Sequence, residues 1–301
     1  MRQRIMLLGE SGQVGYELRR ELSPLGEVTG FARTAADLAC HDQLRSVIRN
    51  FAPNVIVNAA AYTAVDAAES HEEEATAINA TAVGVIGTEA AALDASVVHF
   101  STDYVFDGNA SSPYSENAQP NPINVYGRTK REGELLLTRS GAAHFILRTS
   151  WVFGTRGTNF LLSVLRRASQ DQQLRIVCDQ FGGPTWSRFL ATTTAQILGE
   201  LRGMSSYELQ EASGIYNVTA AGQATWAEFA QAIVDDAPIS EYGKRQGLEW
   251  LRGIQITPIT TAEYPTPAKR PPYSVLSNDK LHRCFDLRLP HWREQLSLAL
   301  N

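Results

Sequence analysis

Lysine is scarce in this 301-residue sequence, supplying only four of its 27 basic side chains, at Lys130, Lys244, Lys269 and Lys280. The formal net charge is -5, and no basic run extends beyond short pairs such as Arg19-Arg20. The electrostatic footprint of a nucleic-acid binder is therefore missing, and a small-molecule partner is expected. Cysteine is scarce too: Cys40, Cys178 and Cys284 are odd in number, far apart and without metal-ligand spacing, which argues against a disulfide framework or a structural zinc site. Long apolar runs are also lacking. The stretch Ile5 to Leu8 stops at Gly9, too short for the core of a signal peptide, and nowhere do 18 apolar residues follow one another. These absences lead us to expect a soluble cytoplasmic protein with no membrane partner. With 44% hydrophobic residues the chain can still build a real core, as one large domain or two ordinary ones.

Against this scarcity, one lysine lies four residues after a tyrosine in Tyr126-Gly-Arg-Thr-Lys130. Ten tyrosines and four lysines would produce that spacing only about 0.13 times by chance. On a helix it stacks both side chains on one face. An ammonium beside a phenol favours the phenolate, so Lys130 is expected to draw Tyr126 down toward working pH and make it a proton donor.

The N-terminus supplies a nucleotide site. Arg4 to Leu8 reads as a buried strand, and Gly9-Glu-Ser-Gly12-Gln-Val-Gly15 follows at once. Val14, Leu18 and Leu22 then recur at helical spacing. Glycines at a strand-to-helix turn let a diphosphate approach backbone N–H groups at a helix N-terminus. A second strand, Glu27 to Phe31, ends in Ala32-Arg33, where an NAD site often carries an acid and a basic residue accommodates the extra phosphate of NADP. Arg33 tilts the cofactor toward NADPH, with NADH possible.

The pattern then alternates through helix 42–51, strand 54–58, helix 72–93, strand 96–101, helix 125–140 and strand 144–148. This predicts an α/β fold, a Rossmann-type doubly wound parallel sheet, over residues 1–150. Beyond 150 glycine and proline become frequent, with amphipathic helices at 159–169 and 226–234. A smaller C-terminal α/β substrate domain over 151–301 is expected, some of its elements returning to the first unit. Asn58 to Thr63, Ser101 to Tyr104 and Arg148 to Trp151 fall at the carboxyl ends of strands, where such sheets bind ligands. Thr102, at one of those ends, supplies a hydroxyl beside Tyr126, and the trio suits carbonyl reduction. Arg156, Arg188 and Arg270 are candidates for a substrate diphosphate.

These stretches resemble the dTDP-4-dehydrorhamnose reductase family of the extended short-chain dehydrogenases. The resemblance rests on Gly9 to Gly15, Asn58 to Asp66, Ser101 to Gly108, Asn124 to Lys130, Arg148 to Gly154, Asp179 to Thr185 and Tyr264 to Pro271, in order along the chain. It implies reduction of the 4-keto group of dTDP-6-deoxy-L-lyxo-4-hexulose to dTDP-L-rhamnose. Tyr126 would be the acid, Lys130 the ribose-binding and pKa-tuning base and Thr102 the third catalytic member. Thr102, Asp103, Tyr104 and Trp151 would meet the substrate. Gly9, Ser11, Gly12, Gln13 and Val14 would hold the cofactor's phosphates, with Asp42 and Gln43 near adenine and Ala61, Tyr62 and Thr63 along the dinucleotide. Sister dehydratases carry Asp-Glu where this chain has Asp103-Tyr104, which favours reduction over elimination. The alternatives are a non-catalytic NADP-binding regulatory subunit of the same fold, or a reductase of another nucleotide keto sugar. Members that hold magnesium at a dimer interface do so through Glu17 and two acids whose places here are taken by Arg188 and Arg293. No magnesium is therefore expected, and the chain is expected to be a monomer or weak dimer.

Overall fold

The computed structural model describes residues 3–301. Its first half alternates β1 (Gln3–Leu8), α1 (Gln13–Glu21), β2 (Gly26–Phe31), α2 (His41–Phe51), β3 (Val55–Asn58), the short α3 (Val65–Ala68), α4 (Glu72–Thr76), α5 (Ala82–Ala92), β4 (Ser96–Thr102), α6 (Val125–Arg139) and β5 (His144–Thr149). The predicted elements are all present with ends shifted by a residue or two. The exception is helix 72–93, which α4 and α5 form only with a π-helical stretch at Ala77–Thr81 between them. That extra residue per turn turns Asn79 inward. Its amide accepts from Tyr62 N at 2.9 Å and donates to the Tyr62 carbonyl at 3.1 Å and to Thr129 Oγ1 at 3.2 Å.

The second half runs β6 (Val152–Phe153), α7 (Phe160–Ala168), β7 (Gln173–Val177), β8 (Phe181–Gly182), β9 (Thr185–Trp186), α8 (Ser187–Glu200), α9 (Ser206–Ala212), β10 (Gly214–Asn217), β11 (Ala224–Thr225), α10 (Trp226–Asp236), α11 (Glu241–Gln246), β12 (Gln255–Ile259), α12 (Asp279–Phe285) and α13 (Trp292–Leu300). Strand β10 leaves this half and pairs in parallel with β5, completing a six-stranded sheet in the order β10-β5-β4-β3-β1-β2. All its ladders are parallel. Because both faces are covered, its inner strands β3, β4 and β5 are buried almost throughout rather than in alternation, while the edge strand β2 is largely half-exposed. One face packs Ile5, Leu7, Val57 and Leu147 against Leu18 of α1 and Leu190 and Ile197 of α8. The other packs Met6, Leu8, Ile56 and Ile146 against Leu44 of α2, Ile86 of α5 and Leu137 of α6. A separate core around Phe153, Leu161, Phe229, Ile233 and Leu296 holds the rest of the second half together.

Candidate active site

The strand ends and the second half enclose a cleft of about 640 Å³. At its floor β1 passes into α1 through Gly9, whose φ is +79° and where a side-chain carbon would fall 2.8 Å from Ala60 N, so no other residue fits. At Gly15 a side-chain carbon would meet the Gly9 carbonyl oxygen still more closely, so the first turn of α1 is pressed against the strand end. Gly12 is the N-cap of α1 and offers no side-chain cap, so the first N–H groups of the helix face the cleft without a protein acceptor. That is a ready cradle for a diphosphate. Ser11, Gln13 and Val14 line it, and Gln13 also donates to the Val152 carbonyl at 3.3 Å, tying the turn to the second half.

Along the same wall lie Ala59, Ala60, Ala61 and Thr63. Tyr62 does not line the cleft; its backbone is clamped by Asn79 and its ring packs with Ala68, Ala75 and Val125. Arg33 does line it, exposed and paired with Asp37 at 3.3 Å and Glu74 at 3.9 Å. Asp42 and Gln43, expected near adenine, are outside the cleft. They stand in the first turn of α2, where the Asp42 carboxylate is fully exposed beside Arg45 at 3.9 Å. Ala36, Asp37 and Leu38 occupy the wall in their place, because the chain turns there before α2 begins.

The catalytic candidates converge where β4 meets α6. Asn124 caps α6 by accepting from Gly127 N at 2.7 Å, and its Nδ2 donates to the Lys269 carbonyl at 2.8 Å. Glu69 accepts from Val125 N at 2.8 Å. These three contacts fix the turn that carries Tyr126, whose ring meets that of Tyr104 edge-on at 6.0 Å. Thr102 caps the single 3₁₀ turn after β4, accepting from Tyr104 N at 3.1 Å and donating its own proton to Asp103 Oδ1 at 3.0 Å. Asp103 lines the cleft, but its other oxygen accepts from Ser150 at 2.8 Å and Ser274 at 2.5 Å. Three hydroxyls thus occupy the carboxylate, and it orients Thr102 from behind. Burial pushes the Asp103 carboxyl up to about 6, against the pull of the three hydroxyls.

Tyr126 is pushed up to about 12, by burial first, with Asp103 adding to the shift and the Thr102 hydroxyl countering it. The expected downward pull by Lys130 is thus missing in the ligand-free site. The Lys130 ammonium group is not aimed at the phenol: its Nζ lies 2.6 Å from the Phe100 carbonyl and 3.1 Å from His99 Nε2. Only 2% exposed, Lys130 is itself lowered to about 8 by burial, which Glu134 partly opposes. Tyr104 rises well above its ordinary range through burial and the nearby Asp103 charge, so it remains a neutral hydroxyl.

Behind this set, Glu134 holds Arg148 through two bonds of 2.8 and 2.7 Å and accepts from Ser101 at 2.6 Å, all fully buried. Its carboxyl is lowered because these donors outweigh burial. The opposite wall holds Trp151, which adopts φ +44° and stacks on Trp226 with ring centroids 3.4 Å apart. Both line the cleft. Trp226, Asn79 and His99 were not visible as site residues in the sequence. A lone histidine inside the apolar strand Val97-Val-His-Phe100 was the available signal for the last of them. Arg156, Arg188 and Arg270 do not line the cleft: Arg156 lies 3.8 Å over the Tyr16 ring, Arg188 faces Glu21 at 4.0 Å, and Arg270 grips Asp66 at 2.7 and 3.1 Å.

The family model described as the RmlD substrate binding domain matches residues 3–301. The chain belongs to this RmlD family. Among its RmlD relatives, the dTDP-4-dehydrorhamnose reductase of Burkholderia thailandensis is 43% identical over 99% of this chain and 98% of its own length. That of Escherichia coli K12 is 38% identical over 99% and 97%. A crystal structure of the Bacillus anthracis dTDP-4-dehydrorhamnose reductase in complex with NADP superposes with a TM-score of 0.85 at 30% identity, covering 98% of each chain. The Clostridium acetobutylicum ortholog gives 0.86 at 32%, again covering 98% of each. The RmlD fold is thus matched from end to end, and the Rossmann-type sheet anticipated from the sequence is the one these structures share. No helix among the described residues is long and apolar enough to cross a membrane.

Proposed function

We propose that the protein is an NADPH-dependent reductase, able to use NADH as well, that converts the 4-keto group of dTDP-6-deoxy-L-lyxo-4-hexulose to the alcohol of dTDP-L-rhamnose. The observation that carries this reading is the meeting of Tyr126, Thr102 and Lys130 at one end of a cleft whose other end is the uncapped N-terminus of α1. Residues 1–150 serve mainly the cofactor and 151–301 mainly the nucleotide sugar, in the cytoplasm, as a monomer or weak dimer.

The cleft fits the cofactor: the α1 N–H groups suit its diphosphate, the Ala59 to Ala61 wall leaves room for a flat ring system, and the exposed Arg33 would exchange its surface pairs with Asp37 and Glu74 for a 2′-phosphate. Bound NADPH supplies the two reducing electrons and the hydrogen delivered to carbon. The protein's own residues do the rest. A phenol held near 12 keeps its proton at neutral pH and has it available for the carbonyl oxygen as negative charge develops there. The Thr102 hydroxyl, held between Asp103 and the Tyr104 N–H, stands beside Tyr126, where it favours the phenolate and helps orient the substrate oxygen. Lys130 below its pKa presents one N–H to a ribose hydroxyl and its charge to the phenolate formed when the proton leaves. Trp151 offers its face to the sugar nucleotide. A Mg²⁺ site at Glu17 is not expected, because the arginines at 188 and 293 bring positive charge where a hard cation needs oxygen donors.

The direct test follows the absorbance of NADPH in the presence of the dTDP-keto sugar. Substrate-dependent oxidation that is unaffected by EDTA is the expected result. A chain that binds NADPH but oxidises none of it with this or other nucleotide keto sugars would be a binding protein instead.

A further inference from the structure

His99 lies in the middle of β4 and is 1% exposed, yet both its ring nitrogens have partners. Asn58 Nδ2 is 3.1 Å from Nδ1, and Lys130 Nζ is 3.1 Å from Nε2. The orientation of the Asn58 amide is decided from its far side, where Oδ1 accepts from Ala60 N–H at 3.1 Å. Turned over, the amide would set its NH₂ against that N–H, donor against donor. Nδ1 must therefore accept from Asn58, and a neutral imidazole with a bare Nδ1 carries its one proton on Nε2.

We propose that His99 is a positioning residue for the reduction, locked by Ala60 and Asn58 as the Nε2–H tautomer and aimed at Lys130. The role of Lys130 in that statement rests on the ketoreductase reading above; the tautomer does not. The consequence follows from counting protons at Nζ. As an amine, Lys130 has two N–H groups and a lone pair. One N–H goes to the Phe100 carbonyl at 2.6 Å, the lone pair takes the His99 proton, and the second N–H is left for the cleft. As an ammonium, it sets a third N–H against that of His99. The imidazole thus opposes the charged form and sets the upper pH limit of catalysis. The other groups that bear on Lys130 are Glu134 one turn along α6, whose charge works in the opposite sense but is engaged with Arg148 of β5, and Tyr126 one turn back. Burial keeps His99 itself uncharged, well below its usual pKa, with the Lys130 charge acting in the same direction.

The test is ¹⁵N NMR of histidine-labelled protein, with the His99 signals assigned by their loss in His99→Gln. A protonated Nε2 and a bare Nδ1, unchanged between pH 5 and 8, are expected, and a proton on Nδ1 or titration in that range overturns the proposal. Asn58→Asp offers acceptors to both neighbours and should move the proton to Nδ1. In His99→Gln the amide can turn its oxygen to the ammonium, so the alkaline limb of kcat/KM should rise by on the order of one pH unit. An unchanged limb in a folded variant is evidence of a purely structural histidine. Failure of the wild-type chain to reduce any keto sugar, with the tautomer as stated, would remove the catalytic reading and leave the locked imidazole intact.

Discussion

One wall of the cleft hangs from the carboxyl ends of four adjacent parallel strands, β5, β4, β3 and β1, while the wall facing it is carried by connecting loops, two-residue strands and the first turn of α10. On the first wall the groups around Tyr126 are held by buried partners: Thr102 by Asp103, Asp103 by two serines, Lys130 by His99 and a carbonyl. On the second, Trp151 holds a positive φ and leans on Trp226, both partly open to the cleft. Chemistry needs groups fixed to a fraction of an ångström, and a parallel sheet supplies that. Recognition tolerates adjustment, and short strands allow it. The difference predicts that substitutions on the first wall act on kcat and those on the second on KM.

The largest effect should come from Tyr126→Phe, which removes the donated proton and lowers kcat about 10²- to 10⁴-fold in steady-state assays while cofactor binding persists. Near-normal turnover would dismiss the acid role. Next, Glu134→Ala leaves Arg148 charged and unpaired in the core beneath the first wall, and should cost about 3–5 kcal/mol in denaturant unfolding. If the loss is below about 1 kcal/mol, the rigidity assigned to that wall lies elsewhere. Trp226→Ala withdraws the support of Trp151. A stacked aromatic pair contributes about 0.5–1.5 kcal/mol, so KM for the nucleotide sugar should rise about 2- to 13-fold with kcat little changed. A fall in kcat alone would merge the two walls into one unit. The smallest effects are those on cofactor affinity. Because the folded-state pKa of Lys130 is lowered to about 8, its positive charge is present below that pH and lost above it. NADPH affinity, measured by fluorescence titration, should therefore weaken as pH rises from 7 to 9. Arg33→Ala should reduce preference for NADPH over NADH by about fivefold, the scale of an exposed ion pair.

The two walls also differed in how readily the sequence disclosed them. The strands and helices of the first half are each long enough to show their period, and their glycine turn and Tyr126-to-Lys130 spacing are local. A motif read along the chain does not say where the chain turns, and the structure lines the cleft with Asp37 and Leu38 while Asp42 and Gln43 stand outside it. The direction of the Tyr126 shift was also missed. Spacing on a helix puts Lys130 on the right face, but it cannot reveal that a histidine 31 residues earlier, on β4, occupies its Nζ. Likewise Trp151 and Trp226, 75 positions apart, form a pair that exists only through tertiary packing.

The segment from Tyr264 to Asn278 runs back across the first half. Arg270 grips Asp66, the Lys269 carbonyl receives Asn124, Ser274 donates to Asp103, and Leu276 bridges to Tyr114. During synthesis, at about 5–20 residues per second, the six strands of the main sheet are complete once residue 217 has emerged, but these ties are not. A chain ending before residue 264 has all six strands but lacks Leu281 and Leu289 from the sheet's core and Trp292, Leu296 and Leu300 from the second-half core. It leaves Asp103 without one of its hydroxyls and the cap of α6 without its outer support. The last stretch to leave the ribosome therefore closes the cores and the setting of the catalytic groups in one step.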